Sequence, residues 1–125
     1  MKAEFYRCPI CGNIAYLIEG NASHMSCCGK PMEKLVAGSV EAAREKHIPE
    51  VKIEDGKVIV QVGEVIHPML KEHHIGWIAA VGEDSVDIRY LKPEEEPKAV
   101  FCNFDGRIKA VYAWCNLHGL WVKEL

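Results

Sequence analysis

The chain has 125 residues, 49% of them hydrophobic and 26% charged, the balance of a globular protein and not of a disordered one. Lys and Arg number 15 against 18 Asp and Glu, a net charge of -3, which argues against nucleic acid as a partner because its binders carry a basic face. No apolar run approaches the ~18 residues of a membrane span, and the first residues, from Met1 to Cys8, lack the apolar stretch of a secretory signal. The expectation is a soluble, cytoplasmic protein with no membrane or nucleic-acid partner.

Residues 1–36 hold Cys8, Cys11, Cys27 and Cys28, with Gly12, Gly20, Gly29 and Pro31 marking turns. A unit this short cannot bury enough apolar surface to fold alone, so a bound metal is expected to hold it together. Cys8-Pro9-Ile10-Cys11-Gly12 places two sulfurs on one tight turn, a spacing used by zinc knuckles and by rubredoxin-type iron sites. The adjacent pair Cys27-Cys28 is unusual. Neighbouring side chains diverge, so the angle at a shared ion is expected to depart from tetrahedral; zinc and iron both remain open for this set. In a reducing compartment a disulfide is the poorer reading.

Gly38-Ser39 reads as a junction, and Ser39 as the N-cap of a short helix over residues 40–46, which Pro49 prevents from continuing far. Beyond it the pattern is β. Lys57–Val62 is rich in branched residues and follows the hairpin signal Asp55-Gly56. Further strands are expected at 74–81, 85–91, 99–104, 108–114 and 120–125, with turns at Gly82-Glu83-Asp84 and Asp105-Gly106. Short strands at this spacing predict a sandwich or barrel. The acidic run Pro93–Pro97 reads as a solvated loop.

The histidines are distributed the other way from the cysteines. Only His24 lies in the first 46 residues; His47, His67, His73, His74 and His118 follow. Several flank Pro or Gly in turn-like stretches, where a rigid sheet can aim them. Cys115 and His118, three apart at a strand end, form a good bite for one ion. Four imidazoles and one thiolate give five ligands and leave a sixth position open, a set that suits iron better than zinc. His74 is expected to point away from its neighbour His73, and His24 to be no ligand. Cys102 is expected to be a small buried hydrophobe, and Trp77, Trp114 and Trp121 core aromatics, with Trp77 as an alternative shield for the metal.

These motifs carry a family resemblance. Cys8, Cys11, Cys27 and Cys28, then Glu45-Lys46-His47-x-Pro49, His67-Pro68-Met69-x-x-x-His73 and Cys115-Asn116-x-His118-Gly119, together resemble the desulfoferrodoxins, the two-iron superoxide reductases, over nearly the whole chain. The resemblance implies a mainly β protein: a desulforedoxin-like iron domain over 1–36 and an immunoglobulin-like catalytic sandwich over 37–125. It implies two iron ions per chain, one on the four cysteines. His47, His67, His73 and His118 would be equatorial ligands of the other and Cys115 its axial ligand, with Glu45 as a resting-state cap and Lys46 beside the open site. It also implies superoxide as substrate, a rubredoxin-like electron donor and a homodimer. Three other readings are a zinc protein that binds a partner, a pure electron carrier and a dismutase. The electron carrier leaves the histidines unexplained, and a dismutase would need the ferric state to be a strong oxidant.

Overall fold

The computed structural model describes residues 3–125. The chain divides into two compact units, with the boundary between Val36 and Ala37.

In the first unit, β1 (Phe5–Arg7) pairs antiparallel with both β2 (Ile14–Tyr16) and β5 (Glu33–Lys34), while β3 (Ser26–Cys27) and β4 (Lys30–Pro31) form a separate hairpin. Phe5, Tyr6 and Cys8 are its only buried apolar residues among those described. The β3–β4 hairpin explains the adjacent cysteines. Cys27 pairs with Lys30, so the loop is Cys28-Gly29, and both residues take positive φ, 54° and 73°. Such a two-residue turn requires left-handed backbone at both central positions. A cysteine in that conformation is swung out of the alternation of a strand, which lets consecutive side chains serve one site.

The second unit opens on α1 (Arg44–His47), a single turn that starts from Ala43 with no side-chain cap. The expected Ser39-capped helix over 40–46 is therefore corrected: only its last residues are helical. β6 (Pro49–Glu54) follows at once, then β7 (Lys57–Val62), β8 (Ile75–Gly82), β9 (Val86–Tyr90), β10 (Lys98–Cys102), β11 (Ile108–Cys115) and β12 (Gly119–Glu124). They form two antiparallel sheets, ordered β10-β7-β6 and β12-β11-β8-β9. Strand β6 has no counterpart in the sequence expectation, which treated Pro49 as a stop. Proline is tolerated as the first residue of a strand, and Pro49 sits there, paired with Val62.

Alternation along the strands sends one set of side chains from each sheet inward. Val58, Val60, Val62 and Phe101 meet Ile75, Ile78, Ala80, Val111, Ala113 and Cys115 in one core. Cys115, fully buried at the end of β11, is thus the last core residue of its strand. Two expectations fail here. Cys102 is exposed at the end of edge strand β10. Trp77 and Trp114 are paired in register on the opposite side of the sheet from Cys115 and Ala113, where their rings stack with centroids 6.3 Å apart; they are half-buried and not part of the core. The acidic loop behaves as expected, with Glu94, Glu95 and Glu96 exposed.

Candidate metal centres

The four cysteines of the first unit converge, with all sulfurs within 4.8 Å of one another. Cys11 and Cys27 sulfurs lie 3.6 Å apart and those of Cys27 and Cys28 3.9 Å. Sulfurs about 2.3 Å from a tetrahedral ion lie about 3.8 Å apart, so the site fits such an ion with little adjustment. The first turn is a knuckle: the amides of Ile10 and Cys11 both donate to the Cys8 sulfur at 3.4 Å. The Cys11 amide in particular pulls the Cys8 thiol down to about 6. The crowd of neighbouring sulfurs, Cys11 first, pushes Cys27 up to about 12. Four thiolates this close repel without a cation, and a cation reverses that cost. His24 is exposed and outside the cluster.

In the second unit, four histidines from separate elements converge. His47 ends α1, and its Nδ1 donates to the Ala43 carbonyl at 2.7 Å. His67 follows β7, its amide bonded to the Val62 carbonyl and its Nδ1 donating to Pro68 at 2.7 Å. His73 lies on the bend before β8, and His118 on the β11–β12 turn.

Their rings stand at the corners of a near-square. Neighbouring centroids are 4.6 Å (His47–His67), 4.7 Å (His67–His73), 5.0 Å (His73–His118) and 5.0 Å (His118–His47), while the diagonal His47–His73 is 6.4 Å. Adjacent rings meet edge to face, at 78° to 87°. The Cys115 sulfur lies 3.5 Å from His67 Nε2 and 3.9 Å from His118 Nδ1.

Protonation shows what this arrangement lacks. A carbonyl can only accept, so the Nδ1 atoms of His47 and His67 carry the protons and both Nε2 atoms present lone pairs. Those two lone pairs face each other at 3.2 Å. His47 Nε2 also lies 3.2 Å from His118 Nδ1. His73 Nε2 is buried with no hydrogen-bond partner. Burial holds His47 and His73 below the usual imidazole range and pushes His67 down to about 4, so neutral rings are favoured. Burial raises the Cys115 thiol, although the amides of Leu117 and His118 pull the other way. Neutral imidazoles aimed at one point and a thiol that needs a cation to ionise fit a divalent metal. A square of nitrogens with one sulfur to the side suits iron.

Glu45 and Lys46, on the exposed side of α1, are solvent-accessible and make no ion pair among the described residues. The Lys46 charge is one of the lesser influences that keep His73 neutral, after burial and the nearer histidines. His74 stays out of the cluster, its Nδ1 bonded to the Leu70 carbonyl at 3.1 Å. Trp121, expected as a plain core aromatic, does more. It is 3% exposed, its indole N–H donates to the His118 carbonyl at 3.0 Å, and its ring lies 5.0 Å from His47. It braces two members of the square. Its place three residues after His118 was the available signal.

A four-sulfur centre on a small strand module and a four-imidazole, one-sulfur centre on a β-sandwich define a metalloprotein with two different metal sites. The comparisons agree. The family model described as desulfoferrodoxin matches residues 39–124, and that for the desulfoferrodoxin N-terminal domain matches residues 1–35. A desulfoferrodoxin of Syntrophotalea carbinolica is 42% identical over 98% of this chain and 97% of its own. A superoxide reductase of Pyrococcus horikoshii is 36% identical over 65% of this chain and 86% of its own. The crystal structure of the superoxide reductase from Treponema pallidum superposes with a TM-score of 0.80 at 28% identity, covering 99% of this chain and 100% of that one. The chain belongs to the desulfoferrodoxin family.

Proposed function

We propose that this protein is a superoxide reductase, an oxidoreductase that converts superoxide to hydrogen peroxide by one-electron reduction without releasing dioxygen, and so removes a reactive oxygen species. The observation that carries this reading is the square of four imidazoles beside a buried cysteine. Five donors so arranged would hold one iron ion and would leave it accessible to a small substrate. When bound, iron supplies the electron and a Lewis-acidic position for the anion.

The chain's own residues do the rest. His47, His67, His73, His118 and Cys115 would hold the catalytic iron; Cys8, Cys11, Cys27 and Cys28 would hold the second one. Burial keeps His47, His67 and His73 neutral, and a single thiolate adds little negative charge, so an anion is not repelled. Lys46, exposed one residue before His47, would draw superoxide toward the histidine–cysteine site in a protein whose net charge is -3. Lys46, or water that it orders, brings protons to the product. Glu45 would cap the site in its oxidised resting state.

The finer assignments are ours as well. Residues 1–36 form the desulforedoxin-like domain and 37–125 the catalytic domain. The electron donor is a small one-electron carrier such as rubredoxin. The cytoplasm is the compartment that keeps six unpaired cysteines reduced. A homodimer is the assembly we assign, with membership of the desulfoferrodoxin family as its support.

The test is to mix the reduced, iron-loaded protein anaerobically with superoxide and count both products. One peroxide per electron with no dioxygen is expected. Evolved dioxygen would refute reduction in favour of dismutation.

A further inference from the structure

We propose that Asn116 is a positioning residue that sets the place of His73, and so joins the thiolate and the imidazole square into one rigid unit. The Asn116 side chain makes two hydrogen bonds. Its Oδ1 accepts from the His74 amide at 2.9 Å, and its Nδ2 donates to the Glu72 carbonyl at 3.0 Å. Those groups belong to the two peptide units on either side of the His73 α-carbon. A third bond runs from the Asn116 amide to the His74 carbonyl at 3.2 Å. The backbone of His73 is further closed on itself by reciprocal bonds with Leu70, 3.1 Å and 2.8 Å.

The reason for this bracing lies in the rings. His47 and His67 are oriented by their own Nδ1–carbonyl bonds, and His118 by Trp121 at its carbonyl. Among the described residues, the ring of His73 has no hydrogen bond, and its Nε2 is the buried orphan of the cluster. Its direction is therefore inherited from its backbone, which Asn116 clamps from both sides.

The sheet register explains why an asparagine is needed. β11 and β8 shift register between Trp114 and Cys115, and the ladder ends at the pair Cys115–Ile75. Asn116 and His74 would be the next pair. The Asn116 amide completes its half of that pair, while its side-chain oxygen stands in for the backbone carbonyl. The remaining amide hydrogens then reach Glu72. Aspartate could accept from His74 but could not donate to the Glu72 carbonyl, and alanine could do neither.

The inference rests on the reading of the histidine–cysteine cluster as an iron site. Partners that orient metal ligands typically change metal affinity by about 10–100-fold when removed. The experiment titrates iron(II) into metal-free wild type, N116D and N116A and follows each centre by its own absorption, the four-cysteine centre acting as internal control. Exchange of the His74 amide is measured in the metal-free proteins. The expected order of affinity at the histidine–cysteine centre is wild type, then N116D, then N116A, with an unaltered four-cysteine centre. Amide exchange at His74 should be fast in N116A alone. Equal affinities with an unchanged charge-transfer band in all three proteins would overturn the role of Asn116. Failure of the wild type to bind iron at that centre would instead overturn the site reading. Should N116A fail to fold, the gap between N116D and wild type decides, since N116D keeps the acceptor and loses only the donor.

Discussion

Gly63 offers a direct test of how the segment carrying Glu45, Lys46 and His47 is held. It follows β7, and its backbone packs against the turn of α1. A β-carbon added there would lie 2.7 Å from the Glu45 carbonyl oxygen, 2.8 Å from that of Ile48 and 3.0 Å from the Lys46 carbonyl carbon. Ordinary carbon–oxygen contacts begin near about 3.3 Å, so the opposing backbone would have to retreat by roughly 0.5 Å. No flexible side chain can absorb that movement, because all three atoms belong to the segment carrying Glu45, Lys46 and His47. The same segment is tied down from the same side by the Val65 amide, which donates to the Glu45 carbonyl at 2.8 Å. Overpacking of this kind costs about 1–3 kcal/mol. For a unit of this size each kcal/mol lowers the melting temperature by about 4–8 °C. Gly63→Ala is therefore expected to melt at least several degrees lower. It should also bind iron more weakly at the histidine–cysteine centre, because His47 moves with its backbone. Calorimetry of the metal-free protein and iron(II) titration of the same sample separate the two effects. A variant with wild-type melting temperature and wild-type affinity would show that the segment yields freely, and the reasoning would be wrong.

Three further perturbations follow from the same geometry. Lys46→Ile should slow superoxide capture by about threefold to tenfold at low ionic strength, with the gap closing as salt screens the charge; pulse radiolysis across a salt series measures it, and a salt-independent rate ratio would remove the steering role. Stripping the metals under reducing conditions should unfold the first unit, whose buried apolar residues are so few, since structural metal binding in such modules contributes about 10–16 kcal/mol; amide chemical shifts of 3–36 should collapse to random-coil values while those of the sandwich persist, and retained dispersion in 3–36 would contradict this. Iron affinity at the second centre should rise with pH. Burial holds the Cys115 thiol above its ordinary value and leaves His47, His67 and His73 neutral. Near neutrality the ion must therefore displace the Cys115 proton, and log K should climb by about one per pH unit until that thiol ionises. A flat profile between pH 7 and 8 would mean that Cys115 is not a ligand.

How much of this could be read from the sequence depended on where each signal lay. The cysteine set was legible because its members sit within one short module and the Cys8–Cys11 spacing is local. What it concealed was the left-handed Cys28-Gly29 turn, which makes adjacency workable. The strands of the sandwich stood out where branched residues alternate, as in Lys57–Val62. Strand β6 was hidden by Pro49, whose lost hydrogen bond matters little at a strand's first residue. Cys102 was misread because burial on an edge strand follows its parity along the chain and not its apolar neighbours. Trp77 and Trp114 were misplaced for a related reason: only the register shows that they share a face opposite to Cys115. The helix expected over 40–46 was shortened because α1 serves to turn His47 inward, and nothing caps a longer one. Asn116 was out of reach, since its partners are backbone groups that no spacing reveals, whereas the place of Trp121 three residues after His118 was a signal left unused.

The two centres relate to folding in opposite ways. All four cysteines fall within 21 residues of one another, in a unit with hardly any core, so closing that loop is entropically cheap and the ion itself must supply the stability. The histidines and Cys115 are spread from residue 47 to 118 and come together only when β7, β8 and β11 are already packed. Their donors are then held by carbonyls at Ala43 and Pro68 and by the indole of Trp121, none of which requires an ion. The first centre is thus a condition of its unit's fold, and the second a consequence of its own. A set of nitrogens gathered by the fold itself need rearrange little when the charge on the ion changes, which is the property a one-electron reductant needs, because reorganisation at the donor set would add directly to the barrier.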